Sequence, residues 1–210
     1  MGILDELSSA TGDKSSNKEL VKQCLRMPAL LHSIAEGLRT GAPKARVDCA
    51  EVLSEAAALR PDLLADFVTD FLDASKSDNK TVAKLGFLGL TRITMARAAE
   101  VYAEREYLLE AAKKNDALGL AAAAVLAALC GNNPNYRGKL IGSVVRLLIA
   151  IPDKDLPKWI ATLGPAVEGS PDAYKRLELT LQPRRATLAP EIVAKLDKAL
   201  VKLERTTAKK

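Results

Sequence analysis

Small and apolar positions recur along this chain at an interval of 36 to 37 residues. Ala45-Arg46-Val47-Asp48-Cys49-Ala50-Glu51-Val52-Leu53 returns as Val82-Ala83-Lys84-Leu85-Gly86-Phe87-Leu88-Gly89-Leu90. It returns again as Leu118-Gly119-Leu120-Ala121-Ala122-Ala123-Ala124-Val125-Leu126. Within each copy the apolar positions fall three and four residues apart, which is the spacing of one helix face. A helical unit of this length cannot bury its apolar face alone and must stack on its neighbours. The pattern therefore predicts an all-α fold, a right-handed α-solenoid of antiparallel helix pairs.

The same spacing places the elements. A short N-terminal helix is followed by a polar, small-residue stretch, Ser8 to Asn17, which reads as a flexible link. Asn17 caps a helix from Lys18 to Arg26. Helix pairs follow: Pro28–Arg39 with Pro43–Leu59, Pro61–Ala74 with Asn79–Ala98, Glu100–Lys113 with Asp116–Leu129, and Pro134–Ile151 with Asp153–Leu163. Pro61 and Pro134 start new helices, because proline is tolerated in a first turn and not in a helix interior. After Gly164-Pro165 the spacing breaks, and Pro171–Leu181 and Ala189–Arg205 read as a terminal cap. The expected organisation is an N-terminal helix and link over 1–17, a solenoid over 18–163 and a basic helical cap over 164–210.

Composition supports helices that approach closely. Apolar residues make up 48% of the chain and aromatics only 4%, so burial rests on Ala and Leu. Strand-rich folds draw more on β-branched and aromatic residues. The three cysteines, Cys24, Cys49 and Cys130, are far apart and form no CxxC, so no zinc site is expected. They read as reduced, buried thiols of a cytoplasmic protein. The acidic start, Met1 to Leu7, does not read as a signal peptide. No apolar run is long enough to span a bilayer.

The template at Ala45–Leu53 resembles the second helix of a HEAT repeat: apolar, Arg, two spacers, a small pair, two spacers, Leu. Over roughly Pro28–Leu163 the chain is similar to the HEAT/armadillo-like superfamily. That resemblance implies a scaffold whose second helices line a concave face, and an Arg that bonds an acidic residue in the turns. Arg46 is the matching position; Ala83 and Gly119 stand there in the next two copies.

The exposed stripe of each second helix then defines the expected binding face. It comprises Lys44, Asp48, Glu51 and Glu55 in the first pair, and Lys80, Lys84, Leu88, Thr91, Arg92 and Met95 in the second. In the third it comprises Leu120, Ala121, Ala124 and Ala128, which flanking helices are expected to cover. A protein or peptide partner is expected on Asp48, Glu51, Glu55, Lys84, Leu88, Arg92 and Met95. Glu55 and Arg92 stand at nearly equivalent positions one repeat apart, so pairing between repeats is the alternative use of these charges.

Charge adds a second surface. Residues 1–170 carry 21 basic and 21 acidic side chains, while 171–210 carry 10 and 5, so the whole excess lies at one end. Lys195, Lys198, Lys202 and Arg205 share one helix side, opposite Ile192, Leu196, Leu200 and Leu203. They form the candidate anion-binding surface, against the reading of a solvated cap. The alternative function is a nucleic-acid binder, a relative of the alkylation-repair DNA glycosylases, which are built from HEAT-like repeats. Trp159 with Asp155 and Lys158 beside it, and Tyr102, Tyr107, Tyr136 and Tyr174, are the side chains such a role would draw on. A further alternative is a structural subunit of a larger assembly.

Chemistry-bearing motifs are sparse. There is one histidine, His32, no GxGxxG and no P-loop, and Asp62, Asp66 and Asp70 fall on the polar side of a helix. The sequence therefore points to a non-enzymatic interaction module with no cofactor and no metal. A small-molecule substrate is not expected, and neither is stable membrane insertion.

Overall fold

The computed structural model describes residues 2–207, and among them no strand occurs. The helices are α1 (Ser8–Thr11), α2 (Ser16–Arg26), α3 (Leu30–Thr40), α4 (Pro43–Leu59), α5 (Pro61–Leu64), α6 (Val68–Ser75) and α7 (Lys80–Ile93). They continue as α8 (Ala98–Ala103), α9 (Arg105–Ala112), α10 (Ala117–Asn132), α11 (Pro134–Arg146), α12 (Leu156–Val167), α13 (Pro171–Arg185) and α14 (Pro190–Thr207). No described helix is long and apolar enough to cross a membrane.

Packing divides the chain into two compact units, Met1–Arg97 and Ala98–Lys210. This division does not coincide with the boundaries expected after residues 17 and 163. In the first unit α4 packs on α2, α3 and α7, and α7 packs on α6. In the second, α10 packs on α9, α11 and α12, and α12 carries α14.

Side chains at the helix starts set the repeat register. Asn79 Oδ1 accepts from the Thr81 and Val82 amides at 3.0 and 3.2 Å, and Asp116 accepts from Gly119 at 2.7 Å. Asn133 caps α11 and Ser170 caps α13 in the same way, each followed by a proline in the first turn. The long helices α4, α7 and α10 thus begin at Pro43, Lys80 and Ala117, 37 residues apart each time. Their inner positions, Val52, Leu53, Leu90, Leu126 and Leu129 among them, are buried completely.

The expected first helices of the second and third pairs are each broken in two. Pro61–Ala74 is α5, a 3-10 turn at Ala65–Phe67, and α6; Glu100–Lys113 falls within α8 and α9. The break buries Leu64, Phe67, Val68 and Phe71 together. It frees main-chain carbonyls, and Arg97 donates to one of them, Ala65 O, at 3.2 Å. In these two repeats a short, a medium and a long helix follow one another: α5, α6 and α7, then α8, α9 and α10.

Other departures have local causes. Residues 8–17 are not a loose link. Leu7 is fully buried, Ser8 N donates to Asn17 Oδ1 at 3.0 Å, and Ser9 N donates to Asp48 Oδ2 at 2.7 Å. Asn17 lies inside α2 rather than capping it. Helices α12 and α13 run through Pro165 and Pro183. Each proline and the residue four before it, Ala161 and Leu179, are exposed, so water can satisfy the freed carbonyl. Arg46 donates to Leu38 O at 2.9 Å, the last turn of α3, in place of an acidic residue in the turns.

The α6–α7 approach leaves no room for a side chain. A methyl group at Gly86 would lie 2.5 Å from Ser75 N and 2.8 Å from Ala74 C, and one at Gly89 would strike the Phe71 ring. Gly86→Leu forces the two helices apart and is expected to cost ~1–3 kcal/mol. Thermal unfolding should show a midpoint several degrees lower, while Lys84→Ala on the exposed side of α7 leaves it unchanged. Equal midpoints for Gly86→Leu and the wild type would refute this packing.

Candidate interaction surfaces

In the first unit the outward row of α4 and α7 holds most of the expected binding residues. Glu51, Glu55, Lys84, Leu88 and Met95 are exposed, Met95 at 73% and Leu88 at 36%. Arg92 is half-buried and committed: its Nη1 donates to Ser54 O and, at 3.0 Å, to Ser54 Oγ. Its Nη2 lies 3.8 Å from Glu55 Oε1, so the inter-repeat pairing exists at the outer limit of an ion pair. Ser54 is fully buried, and Arg92 supplies its hydroxyl with a partner.

Asp48 is committed as well. Its two carboxylate oxygens accept from Ser9 N and, at 3.0 Å, from Asn17 Nδ2, which ties the N-terminal segment and α2 to α4. Asn17 Nδ2 also donates to Glu51 Oε2 at 2.8 Å. Beside this clamp lies a groove of ≈ 420 Å³ lined by Asn17, Lys18, Val21, Glu51, Glu55 and Leu59, with Leu59 at its exposed edge. Asn17 was not among the expected site residues. An Asn before a helical run reads as a cap, and its partners lie 31 and 34 residues away.

Three acidic residues of the α5–α6 region are spent on arginines. Asp62 pairs with Arg60, Asp66 with Arg97 and Asp70 with Arg39. His32 is exposed with its ring 5.1 Å from that of Phe67. Among the described residues no group of three His, Cys, Asp or Glu is placed to hold a metal ion.

In the second unit the α10 positions Leu120, Ala121, Ala124 and Ala128 are half-buried rather than open. Trp159 is almost fully buried on α12, so it presents no face on which a base could stack. Asp155 and Lys158 do meet it at a small cavity of ≈ 170 Å³ that Asp116 also lines. Tyr102 and Tyr136 stack on each other, centroids 4.3 Å apart, with the Arg105 guanidinium 4.9 Å from the Tyr102 ring.

Helix α14 matches its expected sidedness. Leu196 and Leu200 are buried, Ile192 and Leu203 are half-buried, and Lys195, Lys198, Lys202 and Arg205 are exposed. None of these four forms an ion pair among the described residues. Tyr174 on α13 donates its hydroxyl to Leu200 O at 3.4 Å. Burial, then Glu178 and Glu204, push that phenol up to about 12.

No family model matches the chain, and no curated protein matches it in sequence. Two designed armadillo repeat proteins of known structure are similar to it in fold. One is 15% identical, with a TM-score of 0.65, over 88% of this chain and 86% of that one. The other, solved in complex with the peptide (KR)4, is 13% identical, with a TM-score of 0.67, over 96% of this chain and 97% of that one. The fold is an all-α solenoid of the armadillo/HEAT-like type.

The thiols are shut away from this surface chemistry. Burial pushes Cys24 up to about 11 and Cys130 up to about 12. Burial, then the Asp48 carboxylate and Cys24, push Cys49 up to about 12. A raised thiol stays protonated through neutral and mildly alkaline pH, and only the thiolate is nucleophilic. Iodoacetamide at pH 8 should therefore label none of the three in the native protein and all of them in denaturant, as read by mass spectrometry. Fast native labelling of Cys49 would contradict the packing of α2 on α4.

Proposed function

We propose that this protein is a non-enzymatic interaction module that binds a protein or peptide partner on the exposed row of α4 and α7. The observation that carries the reading is that row itself. Two exposed carboxylates, Glu51 and Glu55, stand beside exposed Leu59 and Leu88 on packed helices, with exposed Met95 in the turn just after α7. Apolar side chains left open next to charged ones mark surfaces that a partner covers. The similar fold of a designed armadillo repeat protein solved in complex with a peptide supports the same reading. Asp48 and Arg92 act here as framework, because their polar atoms are already bonded within the unit.

Selection from a displayed random-peptide library on the immobilised protein tests this. Selected peptides should lose binding at least about tenfold, or about 1.4 kcal/mol, on the quadruple variant Glu51→Lys, Glu55→Lys, Leu88→Ser, Met95→Ser. The same peptides should bind the variant reversed at Lys195, Lys198 and Lys202 unchanged. Peptides indifferent to the quadruple variant would sink the proposal.

A second reading rests on α14, whose four exposed cations offer an anion surface for nucleic acid. Its expected strength is weak and nonspecific, because Trp159 is buried and α14 carries no aromatic residue. Submicromolar, salt-sensitive binding of DNA or RNA, removed by reversing Lys195, Lys198, Lys202 and Arg205 to Glu, would make this the principal function instead.

A further inference from the structure

In the second unit, two arginines from different helices converge on one glycine. Helices α11 and α13 pack together. A methyl group at Gly142 on α11 would sit 3.7 Å from Arg146 Nη2 and 3.9 Å from Arg176 Nη1. One turn earlier, Gly138 has nothing within 4 Å, so the α11 surface stays low there too. Arg146 Nε donates to Gly142 O at 3.0 Å, which fixes its guanidinium over that position and leaves its Nη groups free. Among the described residues neither arginine pairs with a carboxylate. Seven other arginines, Arg39, Arg60, Arg92, Arg97, Arg105, Arg184 and Arg185, each have an acidic partner, while Arg46 and Arg137 bond main-chain carbonyls.

Both arginines are exposed, and no carboxylate pairs with either of them to offset their mutual repulsion. We propose that Arg146 and Arg176 form a binding site for a single phosphate group on a phosphorylated segment of a partner protein. A phosphate monoester carries about −1.5 to −2 charges at neutral pH, which two guanidiniums balance. Its oxygens accept N–H···O bonds of about 2.7–2.9 Å from planar forks, so one group reaches both side chains. Lys139, one turn before Gly142, places its ammonium 5.6 Å from the Tyr102 ring instead.

The neighbouring groove decides between a phosphopeptide and a polyanion. Arg146 also lines a cleft of ≈ 380 Å³ whose apolar lining is Leu109, Leu147 and Ala150. Glu106 and Glu110 of α9 line the same cleft. Glu106 pairs with Arg105 and Glu110 with Lys113, which lines the cleft too, so the charges there are balanced and offer no continuous basic track for a phosphodiester strand. The apolar lining beside Arg146 suits one phosphate followed by apolar residues, as a phosphorylated peptide would supply. This site is separate from the α4–α7 face, and its test does not depend on that face.

Titration of the isotope-labelled full chain, followed by NMR, tests the site. The probe is the peptide acetyl-Leu-phosphoserine-Leu-amide. Saturable shifts are expected at the Gly142 amide and at the Arg146 and Arg176 side chains. Affinity should exceed that for inorganic phosphate, or for the unphosphorylated peptide, by about tenfold. The pair Arg146→Ala, Arg176→Ala should remove the shifts, with signals elsewhere showing an intact fold. Arg176→Lys, which keeps the charge and loses the fork, should weaken binding, and Lys195→Ala with Lys198→Ala should change nothing. Several outcomes overturn the proposal: no saturable shift at Gly142, shifts that survive the double variant, or equal affinity for inorganic phosphate. Tighter binding of a short oligothymidylate at the same residues would assign the site to nucleic acid and overturn it too.

Discussion

The long helices of this chain are covered at backbone distance, and the small residues on them make that approach feasible. Helix α7 meets α6 where Gly86 faces the Ser75 amide and Gly89 faces the Phe71 ring. Helix α10 meets α9 where Gly119 faces the Ala112 and Ala111 carbonyls, and meets α12 where Gly131 faces the Pro165 carbonyl. A side chain at any of these points would have to displace its neighbour, and interiors at crystal-like density transmit such strain. The low aromatic content follows from this geometry, since helices this close leave little space for rings. Phe71 and Phe87 fill the space that remains, and both are buried. The outward row of α4 and α7 is then the geometric complement of these contacts. Glu51, Glu55 and Leu88 face out because the opposite sides of their helices are held against neighbours, and Met95 follows exposed in the turn after α7.

The same constraint explains what was legible in the sequence. A helix covered on several sides repeats its small and leucine positions in phase, so Leu53, Leu90 and Leu126 marked the period directly. The outward stripe was readable as everything that the buried stripe excluded. The break between α5 and α6 was not readable, because Leu63, Leu64, Phe67, Val68 and Phe71 keep helical spacing straight across it. What completes the break is Arg97, 32 residues later, on the freed Ala65 carbonyl. The spacing was expected to break at Gly164-Pro165, but a proline facing solvent leaves a carbonyl that water can satisfy, and α12 runs through Pro165. Nor does local pattern reveal that Asp48 and Arg92 are committed, since their partners Asn17 and Ser54 lie 31 and 38 residues away.

A formal charge count therefore misstates where free charge lies. Several arginines serve as clasps that bond main-chain carbonyls at helix ends and breaks. Arg46 holds Leu38 O, Arg97 holds Ala65 O, Arg137 holds Cys130 O and Arg184 holds Leu148 O. Two of them hold a carboxylate as well, Arg97 on Asp66 and Arg184 on Asp153, each 31 residues distant. A surface ion pair alone contributes about 0–1 kcal/mol. A guanidinium that also satisfies an otherwise open carbonyl is worth more, because leaving a desolvated acceptor unpaired costs about 1–3 kcal/mol. Charges used this way are structural and cannot turn toward a partner without exposing that cost.

Subtracting the clasps redraws the surface. In the first unit, what remains near the candidate face is exposed Lys84 and two carboxylates, Glu51, shared with Asn17, and Glu55, at the edge of reach of Arg92. Both keep lone pairs free for a partner while their orientation is set by neighbours, and side chains held in place lose less entropy on binding than free ones. In the second unit, what remains includes Arg146 and Arg176 over Gly142 and the exposed cations of α14. The Asp153 carboxylate nearest in sequence to Arg146 is taken by Arg184, so the fold spends its acid on one arginine of the region and leaves another pair without any. An uncompensated pair persists at little cost only while water or an incoming anion solvates it. That is why the low surface at Gly142, rather than the larger count of lysines on α14, is where the charge of this unit is most sharply organised.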